Sequence, residues 1–170
     1  MVGSLIPSSR FLAKKILKNI PFEDAKVIIE LGPGTGVFTK KIMQRLNPDT
    51  HFVVIELNDI FYQNLKTTVT QENCHIIHGS ASDLQKILSN LGFEKADCII
   101  SSLPLSNFPK DLRIEIMQAI LHCLTPKGTF LQFQYTLQSK KHFKSIFTHV
   151  SIDYAAINFP PAFVYRCSNS

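Results

Sequence analysis

Short apolar runs alternate along the chain with longer stretches of mixed polarity. The runs rich in β-branched residues predict strands over residues 26–31, 51–57, 74–79, 96–103 and 128–136. Helix-patterned stretches lie between and after them, near 36–46, 58–70, 81–91, 110–124 and 139–147. Strands that alternate with helices of this length predict a parallel sheet with helices on both of its faces.

The end of the sequence departs from this alternation. Residues 150–158 and 162–168 are strand-like, but only a short Phe-Pro-Pro segment separates them. Because this connection is too short for a helical crossover, we expect an antiparallel hairpin at one edge of the sheet. The sequence therefore predicts one α/β domain over residues 1–170, with a mostly parallel seven-stranded sheet and a helical cap segment over 1–22.

A glycine-rich turn, Gly32-Pro33-Gly34-Thr35-Gly36, follows the first predicted strand. Glycines let the backbone approach a ligand closely, and ligands of open α/β sheets bind at this carboxyl edge. Glu56 ends the second predicted strand about 20 residues further on, where a carboxylate can accept hydrogen bonds from both hydroxyls of a ribose. Together the two features indicate a site for a nucleoside-containing cofactor.

The spacing of the glycines narrows the choice of cofactor. It is GxGxG rather than the dinucleotide pattern GxGxxG, and no GKS or GKT is present for a triphosphate. With Glu30 just before it, the stretch resembles motif I, "E-L-G-x-G-x-G", of the class I S-adenosylmethionine-dependent methyltransferases. The resemblance implies a Rossmann-like class I methyltransferase fold and S-adenosyl-L-methionine as the cofactor. It implies cofactor-binding roles for Glu30, Gly32, Pro33, Gly34, Thr35, Gly36, Glu56, Leu57, Ser80, Ala81 and Ser101.

Two further segments extend the resemblance beyond motif I. "HGSASDL" (78–84) stands where the family has "GDAxDL" against the adenine, so Ser80 or a backbone group is expected to replace the usual Asp. "IISSLPL" (99–105) occupies the motif IV position, beside the transferred methyl group. Methyltransferases of adenine amino groups carry "N-L-P-Y" or "[D/N]-P-P-[Y/F]" there, with an aromatic ring that stacks the extruded base. Ser102-Leu103-Pro104-Leu105 has neither the preferred polar acceptor nor the ring.

Segments outside the cofactor motifs are similar to bacterial phospholipid N-methyltransferases, which convert phosphatidylethanolamine to phosphatidylcholine. They are "VGSLIPSSRFLAKKI" (2–16), "SSLPLSNFP" (101–109), "LQFQY" (131–135) and "NFPPAFVYR" (158–166). Members of that family commonly have an amphipathic membrane-binding helix before "VGS"; here either the natural chain is longer or docking rests on other parts. The alternatives left open are an rRNA adenine-N6 methyltransferase, a small-molecule methyltransferase and a non-enzymatic cofactor-binding module.

A phospholipid substrate suggests roles for several side chains. Arg10 or Arg166 is a candidate for pairing with the lipid phosphate, since guanidinium is a planar and permanent cation. Aromatic rings attract a methylated ammonium, and Tyr135 is the candidate catalytic residue because it ends a strand at the expected active edge. The full set of candidate substrate-binding residues is Ser8, Ser9, Arg10, Leu103, Pro104, Phe108, Asn158, Tyr165 and Arg166. The ordinary alternatives are core positions for Phe108 and Tyr165, a helix cap for Ser8 and a solvated edge for Arg166.

Composition and charge add limits on location and partners. The net charge of +5 favours anionic partners. The four cysteines form no CxxC pair and the sequence has no zinc-type spacing, so we expect free thiols, a reducing compartment and no metal. The basic amphipathic segment 10–20 is expected to pack on the sheet, with its lysines steering the protein toward lipid. We therefore expect a cytoplasmic monomer, peripherally bound to the anionic inner face of the membrane, without a nucleic-acid partner.

Overall fold

The computed structural model describes residues 9–155 and 161–170. The strands in this part of the chain are β1 Val27–Leu31, β2 His51–Glu56, β3 Cys74–His78, β4 Ala96–Ser101, β5 Leu124–Gln134, β6 His149–Ala155 and β7 Ala162–Ser168. The α-helices are α1 Ser9–Lys18, α2 Val37–Met43, α3 Asp59–Thr68, α4 Leu84–Asn90, α5 Lys110–Cys123 and α6 Lys140–Ile146. Short 3₁₀ helices occupy Ala81–Asp83 and Leu105–Asn107.

The seven strands form one sheet in the order β3-β2-β1-β4-β5-β7-β6. β1 to β5 pair in parallel, and β7 is antiparallel to both of its neighbours, β5 and β6. This confirms the predicted mostly parallel sheet with an antiparallel hairpin at its C-terminal end. Because β6 runs in the same direction as β1 to β5, the carboxyl ends of six strands meet at one edge, which we call the carboxyl edge.

Side chains alternate between two apolar layers on opposite faces of the sheet. Ile29, Leu31 and Phe130 belong to the layer that packs under α4, α5 and α6, here called the α5 face. Ile28 and Leu131 belong to the layer under α1, α2 and α3, here called the α1 face. The central strands are buried on both faces, as expected when helices cover both sides of a parallel sheet.

The helix α1 packs against the sheet as its amphipathic pattern predicts. Leu12, Ile16 and Leu17 are buried in the apolar layer of the α1 face. Asn19, just after the helix, donates a hydrogen bond to Asp153 on β6. Within the described residues, no helix is both long enough and apolar enough to cross a membrane.

The structure differs from the predicted elements mainly at β5. This strand begins at Leu124 rather than at residue 128, because Leu124 pairs with Ala96 before the register shifts at the next pair. It ends at Gln134, so Tyr135 lies just beyond the strand. The four cysteines are free, three of them buried and Cys74 partly so. Among the described residues, no cluster of His, Cys, Asp and Glu side chains has a metal-binding arrangement.

Candidate functional site

The glycine-rich turn joins β1 to α2 at the carboxyl edge. Gly32, Gly34 and Gly36 all have left-handed backbone conformations, with φ of 66°, 57° and 75°. A Cβ atom at Gly32 would lie 2.5 Å from Leu103, and one at Gly36 would lie 2.6 Å from Leu65. A Cβ at Gly34 would meet no protein atom within 4 Å. The left-handed backbone therefore favours glycine at all three positions. A Cβ at either outer position would also displace a leucine methyl group, whereas Gly34 presents bare backbone to open space.

Glu56, the last residue of β2, is hydrogen-bonded to this turn. Its carboxylate accepts hydrogen bonds from the backbone N–H of Gly34 at 2.9 Å and of Asn58 at 2.8 Å. The side chain is 7% exposed. Since each carboxylate oxygen has two lone pairs, the group retains capacity to accept hydroxyl donors from a ligand.

Glu30 lies fully buried at the end of β1. One carboxyl oxygen accepts a hydrogen bond of 2.7 Å from the Thr39 hydroxyl, and the other has no hydrogen-bond partner in the described part of the chain. Burial raises the pKa of Glu30 to about 7; the nearby charge of Glu56 adds to the rise and the Thr39 hydrogen bond opposes it. A buried carboxyl group with a free oxygen suits a cationic ligand group, which would favour its ionised form.

The ends of β2 and β3 provide an apolar surface beside Glu56. Leu57 and Ile60 are 68% and 70% exposed, although they are large aliphatic side chains. Ser80, at the end of β3, accepts a hydrogen bond from the Ser82 backbone and also shares one with the Ser82 hydroxyl, while Ala81 is buried. The structure thus brings Leu57, Ser80 and Ala81 to neighbouring strand ends, but the Ser80 hydroxyl is already engaged locally.

The motif IV segment follows β4 at the same edge. The Ser101 hydroxyl is buried and accepts a hydrogen bond from the Leu103 backbone at 3.3 Å. The buried Ser102 hydroxyl has no partner among the described residues. Leu105, where an adenine methyltransferase has its stacking ring, is 1% exposed and packs into the apolar layer.

Two glutamines at the end of β5 were not predicted as site residues. Gln132 is fully buried, and its amide nitrogen donates to the Leu103 carbonyl at 3.0 Å, which positions the motif IV backbone. Its amide oxygen, and both amide atoms of Gln134, lack partners in the described residues. The available signal was a pair of amides that alternate with apolar residues at the end of β5.

Tyr135, the predicted catalytic residue, lies at the carboxyl edge directly after β5 and is 52% exposed. Its ring meets that of Phe133 edge-on, with centroids 4.8 Å apart, and Phe133 in turn approaches Phe38 of α2. Burial raises the pKa of Tyr135, so its hydroxyl is protonated at neutral pH. The position offers an aromatic face and a hydroxyl, not a phenolate base.

The candidate substrate-binding residues are separated in the structure. Leu103 and Pro104 lie at the carboxyl edge, and Phe108 packs against the core. Tyr165 is fully buried, and its hydroxyl donates to the Thr136 carbonyl at 3.1 Å, so it takes the core position given above as the ordinary alternative. Arg166 is exposed in the middle of β7, paired with Leu131 rather than with the end of β5.

The remaining candidates lie at the limits of the described chain. Ser8 and Asn158 lie outside the described residues. Ser9 and Arg10 begin α1, but their side chains are not among those described. Their proposed roles therefore stay predictions.

Comparison with known proteins identifies the family. Residues 3–141 match the family model described as ribosomal RNA adenine dimethylase. The chain belongs to this methyltransferase family. It is an S-adenosylmethionine-dependent N-methyltransferase, as the motif I resemblance predicted.

The names of similar proteins specify different kinds of acceptor. Over 168 residues the chain is 35% identical to an ornithine lipid N-methyltransferase from Singulisphaera acidiphila. The matched region covers 98% of this chain and 88% of the relative. The chain is 25% identical over 161 residues to ribosomal RNA small subunit methyltransferase A from Borreliella burgdorferi, covering 89% of this chain. The chain spans about half, 55%, of the length of that second relative.

Solved structures show the same fold at low sequence identity. Precorrin-6y C5,15-methyltransferase from Geobacter metallireducens superposes with a TM-score of 0.72 and 14% identity, covering 100% of this chain and 92% of that one. Human N-acetylserotonin methyltransferase, solved with S-adenosylmethionine, gives a TM-score of 0.68 and 13% identity, covering 93% and 52%. The protein therefore has the Rossmann-like class I methyltransferase fold.

The carboxyl edge fits the cofactor of this family. S-adenosylmethionine carries an ammonium, a sulfonium and two ribose hydroxyls, and it has no phosphate. The turn beside Gly34 offers bare backbone, Glu56 offers acceptor capacity, and Glu30 has an unpartnered carboxyl oxygen. Leu57 adds an exposed apolar side chain beside Glu56. Acidic and apolar groups, with no basic phosphate clamp in the turn, match these chemical features.

Proposed function

We propose that this methyltransferase transfers methyl groups to the amine of phosphatidylethanolamine at the cytoplasmic face of the membrane, toward phosphatidylcholine. The observation that carries the proposal is the 35% identity, along 98% of the chain, to a methyltransferase named for a lipid amine. The motif resemblance to phospholipid N-methyltransferases supports the same acceptor class. Phosphatidylethanolamine is the specific substrate we propose within that class.

The motif IV region favours a small amine over an adenine. An extruded base needs an exposed ring to stack on, and Leu105 instead lies in the apolar layer. An ethanolamine amine needs only hydrogen-bond acceptors and room at the strand ends. The unpartnered Ser102 hydroxyl, just after β4, is such an acceptor.

The residues of this chain have a limited chemical task. S-adenosylmethionine supplies a methyl group that is already activated by the sulfonium. The protein must hold the neutral amine in line with that methyl group, which is mainly a matter of orientation. We infer that the Ser102 hydroxyl orients the amine, and that its departing proton passes to water. The Tyr135 ring would face the cation as methyl groups accumulate.

Exposed apolar side chains support action at a membrane surface. Six large apolar side chains are exposed among the described residues, and five of them follow or end strands at the carboxyl edge: Leu57, Ile60, Tyr135, Leu137 and Tyr154. Lys140 and Lys141 are exposed as well, and they begin α6 shortly after the end of β5. Apolar side chains flanked by lysines suit the interface of an anionic bilayer. We infer that the carboxyl edge faces the lipid.

A second candidate acceptor is the amine of ornithine lipid. The same 35% identical relative favours it, since its name specifies that substrate. The family model and one of the similar proteins are named for ribosomal RNA. Methylation of RNA is therefore the outcome that would contradict a lipid function.

Expression in a bacterium that makes phosphatidylethanolamine but no methylated form tests the proposal. Mass spectrometry of the lipid extract should find mono-, di- or trimethylated phosphatidylethanolamine. Gly34→Leu should abolish these products because the new side chain would occupy the open space beside the turn. Gly92→Leu is a matched control: Gly92 is also left-handed, with no protein atom within 4 Å of an added Cβ.

Both glycine variants should lose about 1–2 kcal/mol of stability from backbone strain. The Gly92 variant should nevertheless keep the methylated lipids. Unmethylated extracts from cells containing the folded, unmutated protein would contradict phosphatidylethanolamine as the acceptor.

A further inference from the structure

Buried polar atoms without hydrogen-bond partners are concentrated in one part of the described structure. Four side chains contribute five of the seven such atoms: Arg113 Nε, Gln132 Oε1, Gln134 Oε1 and Nε2, and His142 Nε2. Folded proteins leave few buried polar groups unpaired, and each one needs a reason. Glu30 and Ser102, which hold the other two, already belong to the site described above.

Strand direction and helix position place all four residues near the carboxyl edge, on the α5 face. Gln132 and Gln134 are alternate residues of β5, so they share a face with Phe130, whose ring lies 5.8 Å from that of Phe143 on α6. His142 lies in the first turn of α6, next to Phe143. Because α6 follows β5, its first turn lies at the carboxyl edge.

Arg113 reaches the same region from α5. It lies in the first turn of α5, which also begins at the carboxyl edge. It precedes Ile116 and Met117 by three and four residues, and both are buried in the apolar layer with Phe130 and Phe143. Residues at these spacings share a helix face, so Arg113 extends the stripe that packs on the sheet. Burial lowers the pKa of His142, and the charge of Arg113 adds to the effect.

The unpartnered atoms include both donors and acceptors. Arg113 Nε–H and the Gln134 amide nitrogen donate, and the amide oxygens of Gln132 and Gln134 accept. A guanidinium is the protein group best suited to phosphate or carboxylate. Amide oxygens suit an ammonium or amine. A ligand that satisfies the whole set must carry a positive and a negative group a short distance apart.

We propose that Arg113, Gln132, Gln134 and His142 form the headgroup pocket of this enzyme, for a zwitterion with a primary amine and a phosphate or carboxylate. The pocket rests on the proposed function. In it, Arg113 replaces Arg166 as the candidate cation for the anionic group. Gln132 links the pocket to the site of transfer, since its amide nitrogen also holds the Leu103 carbonyl. The amine therefore lies on the motif IV side of the pocket and the anionic group on the Arg113 side.

Direct binding of two soluble headgroup fragments tests the pocket. Phosphoethanolamine represents a phospholipid headgroup, and Nα-acetylornithine represents an ornithine lipid headgroup. Dissociation constants for both are measured by NMR titration with the unmutated full chain. Preference for phosphoethanolamine would assign a phosphate to the Arg113 side, and preference for acetylornithine a carboxylate.

Variants separate a binding role from a structural role. Arg113→Met should raise the dissociation constant of the preferred fragment at least tenfold, and Gln134→Met should raise it several-fold. Arg45→Met and Gln44→Met, at exposed positions at the end of α2 away from the carboxyl edge, should leave it unchanged. Gln134→Met should not lower the Tm, because it removes a buried amide that has no partner in the described residues.

Two results would overturn the pocket. One is that the unmutated protein binds neither fragment at millimolar concentrations, even if it methylates lipid. The other is that Arg113→Met and Gln134→Met bind the fragments as tightly as the controls. Fragment binding that depends on Arg113, without methyl transfer to any lipid, would support the pocket and contradict the proposed function instead.

Discussion

Among single residues, Glu30 links the stability of the fold to the candidate cofactor site. Its carboxyl group is fully buried, and its pKa is raised from the ordinary 4.5 to about 7, chiefly by burial. Between those pH values the unfolded chain loses the proton while the folded chain keeps it. The free energy of unfolding therefore falls as pH rises from 4.5 to 7, by about 3 kcal/mol in total from this group.

Glu30→Gln should remove this loss of stability. We expect the variant to be more stable than the unmutated protein by about 2–3 kcal/mol at pH 8, and by much less at pH 5. Its affinity for S-adenosylmethionine should fall at least tenfold at pH 8, because a neutral amide cannot pair with the ammonium. Urea denaturation at both pH values and calorimetric titration of the cofactor measure the two effects. An equal stability change at pH 5 and pH 8 would contradict the buried titration.

The sequence predicted the positions of the candidate cofactor residues in the fold better than those of the candidate substrate residues. The glycine turn and Glu56 are contiguous with strand ends, so local pattern was enough to place them at one edge. The position of Arg166 depends on the pairing of β7 with β5, which aligns it with Leu131 and away from the carboxyl edge. Gln132 and Gln134 look like ordinary alternation in a half-exposed strand, and only the cover of α5 and α6 makes them buried.

At the scale of elements, the strands and helices follow the hydrophobic pattern closely. The main exception is the beginning of β5, where Pro126, Lys127 and Gly128 have the composition of a turn. Long-range pairing of Leu124 with Ala96 overrides this local preference. The insertion of β7 between β5 and β6 was also beyond local pattern, because strand order depends on contacts distant in sequence.

The segments after β5 and at the end of β6 are the elements expected to touch the membrane. The double variant Leu137→Ser/Tyr154→Ser should lower the affinity for anionic vesicles, measured by sedimentation, about thirtyfold, since burial of each side chain contributes roughly 1 kcal/mol. Ile114→Ser removes an exposed apolar side chain from α5 and should have no such effect. Equal loss of vesicle binding in both proteins would contradict docking through the carboxyl edge.

At the scale of the whole molecule, the family fold carries a motif IV segment that differs from the adenine methyltransferase pattern. The family model is named for adenine dimethylation of ribosomal RNA, yet the stacking position holds the buried Leu105. Exposed apolar side chains border the same edge. These features favour an acceptor presented by a lipid surface over a base extruded from RNA.

The measurement that tests lipid methylation most directly is transfer of labelled methyl groups from S-adenosylmethionine to purified acceptors. Anionic vesicles with phosphatidylethanolamine, anionic vesicles with ornithine lipid, and unmethylated ribosomal RNA are compared in parallel with the unmutated protein. Label in methylated phosphatidylethanolamine is the predicted result, and label in ornithine lipid alone would keep the lipid class while replacing the substrate. Label in RNA with none in either lipid would contradict the proposed function.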